Sequence, residues 1–336
     1  MASAETQKRD RAMSWEDKEA AAVKELVASL PAWEGSLAPD TSLPFASALR
    51  TGALDCGLRY YHRRNAEPRD RVELVVAVRA GSIDERDEER GLAHVLEHLA
   101  FRARTDADGT RWSALRELEA HGVSFGAHQN AYTSFEETVF FLHVPADFFG
   151  RGLELLAALV GEAAHVDASD VDAERKIVLE EWRQGKDWAQ RSTEAHFRHT
   201  FAGTTLAARL PIGDLEVVRT ARPETIRNFC ERHYQADALA VIVVGAVPDA
   251  VQVDQLDRAF APYFRKGAAR PWPRAPAAFF PDPSSFGAAV FAEAPRRRVR
   301  ASVFEDAEAT SAFAAISVAK RYELCGNQPV CRVLLH

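Results

Sequence analysis

The chain of 336 residues holds only four cysteines, Cys56, Cys230, Cys325 and Cys331, and no Cys-x-x-Cys pair. That scarcity excludes a disulfide framework and a thiolate-bound structural zinc, and it fits a reducing compartment. Long apolar runs are missing too. The longest, Ala238 to Val244, falls far short of the about 20 residues that span a bilayer as a helix. Glu5, Asp10, Glu16, Asp17 and Glu19 interrupt the N-terminus, so it does not read as a signal or transit peptide. A soluble, cytoplasmic protein is expected, with an organelle as the open alternative. There is no G-x-G-x-x-G or Walker loop, which leaves nucleotide chemistry without support. Positive charge is in deficit: the net charge is −7 and the pI near 5.9. A nucleic-acid binder would show a basic face. Against this background Arg296-Arg297-Arg298 with Arg300 reads as a solvated loop. Neither a nucleic acid nor a membrane is expected as a partner.

Hydrophobic residues make up 47% of the chain, ample for a packed core. The composition of Val72 to Val78 predicts a buried strand, and Leu239 to Val244 another. Further strands are expected over Val123 to Ala127 and Thr138 to Val144. Helices are expected from about Arg90, from Trp112 to His121 with Gly122 ending it, from Asp147 to Ala164 with Asp147 as its cap, and from Ser169 to Lys186, capped by Ser169 or an adjacent acid. Pro223 opens one more, with Ile226, Phe229, Cys230 and His233 on one face. Strands and helices come in groups rather than in βαβ alternation, so the fold class is α+β.

His94-Val95-Leu96-Glu97-His98 carries chemistry. On a helix, His94 and His98 sit one turn apart on one face and can converge on a metal ion. Zinc takes nitrogen ligands of this kind, and His-x-x-Glu-His is a zinc-peptidase signature. Glu97 stays near that face without having to be a ligand, placed to take a proton from a metal-bound water. The plain alternative is a helix with two surface histidines. A catalytic zinc needs a third protein ligand, and the best source is the amphipathic stretch Asp172 to Arg183. There Glu174 and Glu181 lie two turns apart on a shared face, while Glu180 points away. One carboxylate can reach a metal and the other orient a histidine. The alternative is a solvated acidic face.

Read together, these segments resemble the inverzincin metallopeptidases, the family of pitrilysin, insulin-degrading enzyme and the mitochondrial processing peptidase. Asp55-Cys56-Gly57-Leu58-Arg59-Tyr60-Tyr61 is similar to the family's opening strand, with cysteine where asparagine is usual. Gly81-Ser82-Ile83-Asp84-Glu85 and Arg90-Gly91-Leu92-Ala93-His94 are similar to its approach to the zinc helix. Asn130-Ala131-Tyr132-Thr133-Ser134-Phe135-Glu136-Glu137-Thr138 and Arg209-Leu210-Pro211-Ile212-Gly213 complete the series, from about Gly52 to Pro248. The resemblance implies a mainly antiparallel sheet with helices packed on it, and one Zn2+ per chain held by His94, His98 and Glu181. It implies Glu97 as the base activating a zinc-bound water and Glu174 as a supporting carboxylate. A peptide or unfolded polypeptide would add as a strand along Ser124 to Tyr132, touching Asn130, Ala131 and Tyr132. The implied activity is that of a zinc metalloendopeptidase.

The chain also departs from the pattern. His98 and Glu181 stand 83 residues apart, a few more than usual, and the polar stretch between Arg102 and Trp112 is the natural place for an insertion. His128 replaces a frequent aspartate and reads as a spectator. Residues 1–50 are expected as an N-terminal arm in which Trp15, Ala22, Leu26 and Leu30 mark a short packing helix. Residues 51–265 are expected as the peptidase domain, 266–285 as a proline-rich linker, and 286–336 as the start of a second domain too short to build its own core. A second half-domain or partner subunit is therefore expected to close the site. The alternative function is a non-catalytic chamber subunit that binds peptides without cleaving them alone.

Overall fold

The computed structural model describes residues 49–265, apart from residues 66, 103, 106–110, 164, 166, 186, 203 and 248–251. The expected linker, the second domain and the arm helix lie outside the described residues. The sheet's first strand already takes Leu49 and Arg50 from the arm. Six strands form one sheet: β1 (Leu49–Ala53), β2 (Arg59–Arg64), β3 (Arg71–Val78), β6 (Gln129–Thr133), β7 (Thr138–Pro145) and β8 (Leu239–Gly245), in the order β1-β2-β8-β3-β7-β6. Only β2 and β8 pair in parallel; the other pairings are antiparallel. The sheet is thus mixed, though mainly antiparallel.

β3 shows why these residues form strands. Its β-branched run alternates fully buried Val72, Leu74, Val76 and Val78 with half-buried neighbours, the period of a pleated strand. Val76 faces Phe140 on one side and Val241 on the other, and Leu74 faces Leu142 and Val243. These rows make the buried face. Helix α1 (Leu92–Ala100) packs on β6 and β7, and α3 (Phe149–Gly161) on β3 and β7. Helix α4 (Ala168–Gln184) lies against α1. Its cap is an adjacent acid, Asp167, whose side chain accepts from the Asp170 amide at 2.9 Å.

Several boundaries differ from the expectations. Trp112 belongs to a two-stranded ladder, β4 (Arg104–Thr105) with β5 (Arg111–Trp112), at the site where an insertion is expected. Helix α2 (Ala114–Ala120) starts after it, capped by Ser113. Val123 to Ala127 is a tight loop with one bridge, Phe125 to Gln129, because Gly126 turns the chain at φ 83° and the strand proper begins at Gln129. Asp147 caps nothing: it sits in a 3-10 turn, Ala146–Phe148, that leads into α3. Four helices carry no expectation, α5 (Trp188–Thr200), α6 (Thr205–Ala208), α7 (Leu215–Thr220) and α9 (Gln252–Phe260). The remaining one, α8 (Pro223–His233), is opened by Pro223 as expected.

Candidate metal centre

Helix α1 begins without a cap of its own. Gly91 stands at the N-cap position with φ 102°, and no side chain there closes the first turn. Glu85, six residues upstream, does so instead: its carboxylate accepts the Gly91 and Ala93 amides, each at 2.9 Å. Helix N-termini leave such amides unpaired and favour negative charge. Glu85 is almost fully buried, and burial pushes its pKa up to about 8, against the two amide bonds and the Arg209 charge. Arg209 donates to the Glu85 carbonyl at 3.0 Å and to Asp87 at 2.7 Å.

The Arg209-to-Gly213 loop is seated on the helix start by a glycine–glycine contact. A Cβ on Gly213, whose φ is 79°, would stand 2.2 Å from the Gly91 Cα, so no other residue fits without displacing backbone. This is the physical content of two motif segments that are far apart in sequence.

The buried side of α1 carries Leu92, Ala93, Val95, Leu96 and Leu99. His94 and His98 lie toward the cleft, their Nε2 atoms 3.2 Å apart and their rings edge-to-face. From α4, the Glu181 Oε2 approaches to 3.6 Å of His94 Nε2 and 3.5 Å of His98 Nε2. A tetrahedral ion with arms of about 2.1 Å has ligand–ligand edges of about 3.4 Å. Two imidazole nitrogens and one carboxylate oxygen at these separations fit zinc by both geometry and donor chemistry. Burial, aided by the His98 charge, pushes the His94 pKa down to about 4. For His98 burial also acts downward as the largest single effect, but the Glu174 hydrogen bond with the Glu181, Glu97 and Glu174 charges outweighs it and the pKa rises.

Glu174 turns to the other side of the same ring, its Oε2 3.3 Å from His98 Nδ1. That contact fixes the tautomer that leaves Nε2 free to bind. Glu180 is spent elsewhere, paired with Arg183 at 2.7 Å on the exposed side of the helix. Glu97 is buried and accepts a 2.6 Å hydrogen bond from the Thr133 hydroxyl. Burial raises its pKa, opposed by Thr133 and His98 and aided by Glu181.

These groups share a cleft of about 720 Å³, which all eight residues singled out in the sequence line: His94, Glu97, His98, Asn130, Ala131, Tyr132, Glu174 and Glu181. Its apolar walls come from Phe101, Leu115, Phe125, Ile177, Pro211 and Ile212. β6 ends the sheet beside it, and the Ala131 amide bonds its neighbour Asn130's side chain at 2.9 Å rather than a strand. His128 is tied to Ser124 at 2.9 Å and does not line the cleft.

Three contributors escape sequence reasoning. Thr133 lies inside a quoted motif, but nothing in that motif links it to a glutamate 36 residues away. Glu85 caps from beyond the usual capping window. Arg102, at the start of the expected insertion, bonds Glu174.

A zinc-type donor set on a His-x-x-Glu-His helix, completed by a second helix beside a sheet edge, makes a candidate metal site on an α+β fold. Residues 62–211 match the family model for insulinase, peptidase family M16, and the chain carries a domain of that family. It is 38% identical over 208 residues to an Arabidopsis thaliana protein named zinc protease PQQL-like, covering 61% of this chain and 21% of that one. It is 31% identical over 264 residues to the chloroplastic stromal processing peptidase of Oryza sativa subsp. japonica, covering 76% and 20%. Among solved structures, the first half of the periplasmic protease PqqL from Escherichia coli superposes with a TM-score of 0.62 at 32% identity, covering 70% of this chain and 51% of that one. The match spans about a fifth of the length of these two curated relatives. These relatives are described as periplasmic and chloroplastic, so they lend no support to a cytoplasmic placement. Among the described residues, no helix is long and apolar enough to cross a membrane.

Proposed function

We propose that this domain is the zinc-binding, bond-cleaving half of a metalloendopeptidase that hydrolyses unfolded polypeptides. The observation that carries the reading is the convergence of His94, His98 and Glu181 within 3.6 Å of one another, in the cleft that also holds buried Glu97. Bound zinc would supply Lewis acidity, acidifying a water and polarising the scissile carbonyl. Glu97 takes the proton from the attacking water and returns it to the leaving amine. Its raised pKa brings the acceptor closer to neutral pH, where both transfers are feasible. Thr133 holds one carboxylate oxygen, leaving the other for the proton. Glu174 holds His98 from behind.

The substrate lies along β6 as an added strand, with Asn130, Ala131 and Tyr132 alongside it. Main-chain pairing of this kind takes many sequences, which suits an unfolded polypeptide. A complementary half, in the same polypeptide or as a partner subunit, closes the cleft and orients the peptide. The complete donor set disfavours a non-catalytic chamber subunit.

The test is zinc content together with cleavage of an unstructured peptide, with and without a complementary half. Glu97→Gln is expected to keep stoichiometric zinc and lose hydrolysis by at least about 100-fold, since it removes the proton acceptor alone. His98→Ala is expected to lose the metal. Normal turnover by Glu97→Gln would move the base elsewhere, and zinc retained by His98→Ala would sink the site.

A further inference from the structure

Helix α4 turns three carboxylates toward α1, and two of them, Asp170 and Glu174, are buried. Burying charge without a partner is costly. The group that offsets both is Arg102: its Nη1 donates to Glu174 Oε1 at 3.2 Å and its Nε to Asp170 Oδ1 at 3.3 Å. The other oxygen of the same Glu174 carboxylate is the one at His98 Nδ1. Arg102 also closes the end of the histidine helix, its amide bonding the Leu99 carbonyl at 3.1 Å. Its backbone is thus fastened to α1 and its guanidinium to α4, the two helices that bring the histidines and Glu181 together.

We propose that Arg102 is a positioning residue for the metal centre: it aims the Glu174 carboxylate at His98 and straps the two ligand-bearing helices at the spacing that zinc requires. The proposal rests on the reading that His94, His98 and Glu181 hold zinc. A planar fork serves both carboxylates at once, which an ammonium cannot copy. Lysine at this position keeps the charge and loses the bridge.

The experiment is a zinc affinity titration against a chromophoric chelator, on the full chain, with the cobalt(II) visible spectrum as a second readout. Arg102→Gln is expected to weaken zinc binding about 10- to 100-fold, the range for partners that orient a metal ligand. It should also lower the intensity of the tetrahedral cobalt bands. Arg102→Lys should recover only part of the affinity, and it supplies the measurement if Arg102→Gln does not fold. Because Arg102 acts in part through Glu174 and in part through Asp170, the double variant Arg102→Gln/Glu174→Gln should lose more zinc affinity than Glu174→Gln alone but less than the two single losses combined. Zinc affinity unchanged in both Arg102 variants, or losses that add in full in the double variant, would overturn the proposal. A wild-type chain that binds no zinc, or whose zinc survives His94→Ala, would bring down the metal reading and this proposal with it.

Discussion

Replacing Glu85 with glutamine separates the two effects that this buried carboxylate has on the start of the histidine helix. Its pKa rises from 4.5 to about 8 on folding, so the folded chain favours the protonated form. The stability that goes with this is fully present below pH 4.5 and is lost as pH rises through 8. At about 1.36 kcal/mol per pH unit of differential proton binding, the wild type loses about 3 kcal/mol between pH 6 and pH 9 on account of this one group. Glutamine cannot titrate, and its curve lacks that slope. It has a single acceptor oxygen for the two amides of Gly91 and Ala93, which costs about 1–2 kcal/mol at every pH. Set against a wild-type loss of about 1.36 kcal/mol per pH unit above pH 4.5, the variant should be the less stable protein at pH 4.5, equal to the wild type between about pH 5 and pH 6, and the more stable at pH 9. Urea unfolding at half-unit pH steps, followed by tryptophan fluorescence, measures the difference while other titrations cancel between the two proteins. A difference that stays constant to within about 0.5 kcal/mol from pH 6 to 9 would refute the reasoning.

Two further outcomes follow from particular contacts. Gly213→Ala drives a Cβ into the Gly91 backbone at a left-handed φ; a loss of at least about 2 kcal/mol is expected by thermal denaturation, and an unchanged melting point would mean the two segments are not in contact. Thr133→Ala should leave zinc affinity intact and lower kcat about 10-fold in a closed, active assembly, with Thr133→Ser restoring it, because the grip on Glu97 is removed along with a long contact to Thr138, and no proposed metal ligand is touched; a fall in zinc content instead would assign Thr133 to the fold.

What the sequence makes legible is what lies close together along the chain. The i, i+4 spacing of His94 and His98 and the two-turn spacing of Glu174 and Glu181 are helix geometry, and they are readable once the helix is recognised. β3 is legible from its β-branched run. Helix α5 is not, because it buries only Ser192 and so shows no apolar stripe. β6 is shifted relative to the expected strand because Gly126 reverses the chain first. The grip of Thr133 on Glu97, the capping by Glu85 and the bridge at Arg102 depend on tertiary approach, and no local pattern encodes them. The position of β8 between β2 and β3 is of the same kind: both strands accept a hydrophobic neighbour, and the parallel register with β2 appears only in three dimensions.

That last strand also sets a clock. β3, β7 and β6 can pair with one another as soon as they are made, but β1 and β2 join the sheet only through β8. At a synthesis rate of about 5–20 residues per second, roughly 3–13 s pass between the addition of Glu181 and that of Gly245. During that interval the side chains of His94, His98 and Glu181 already exist on the ribosome, while α8, which packs on the histidine helix, is still being made and the sheet remains in two pieces. The nascent chain holds exposed strand edges on β2 and β3 throughout. For this domain, chaperone demand and any early capture of the proposed zinc are therefore both governed by how fast residues 182–245 are translated.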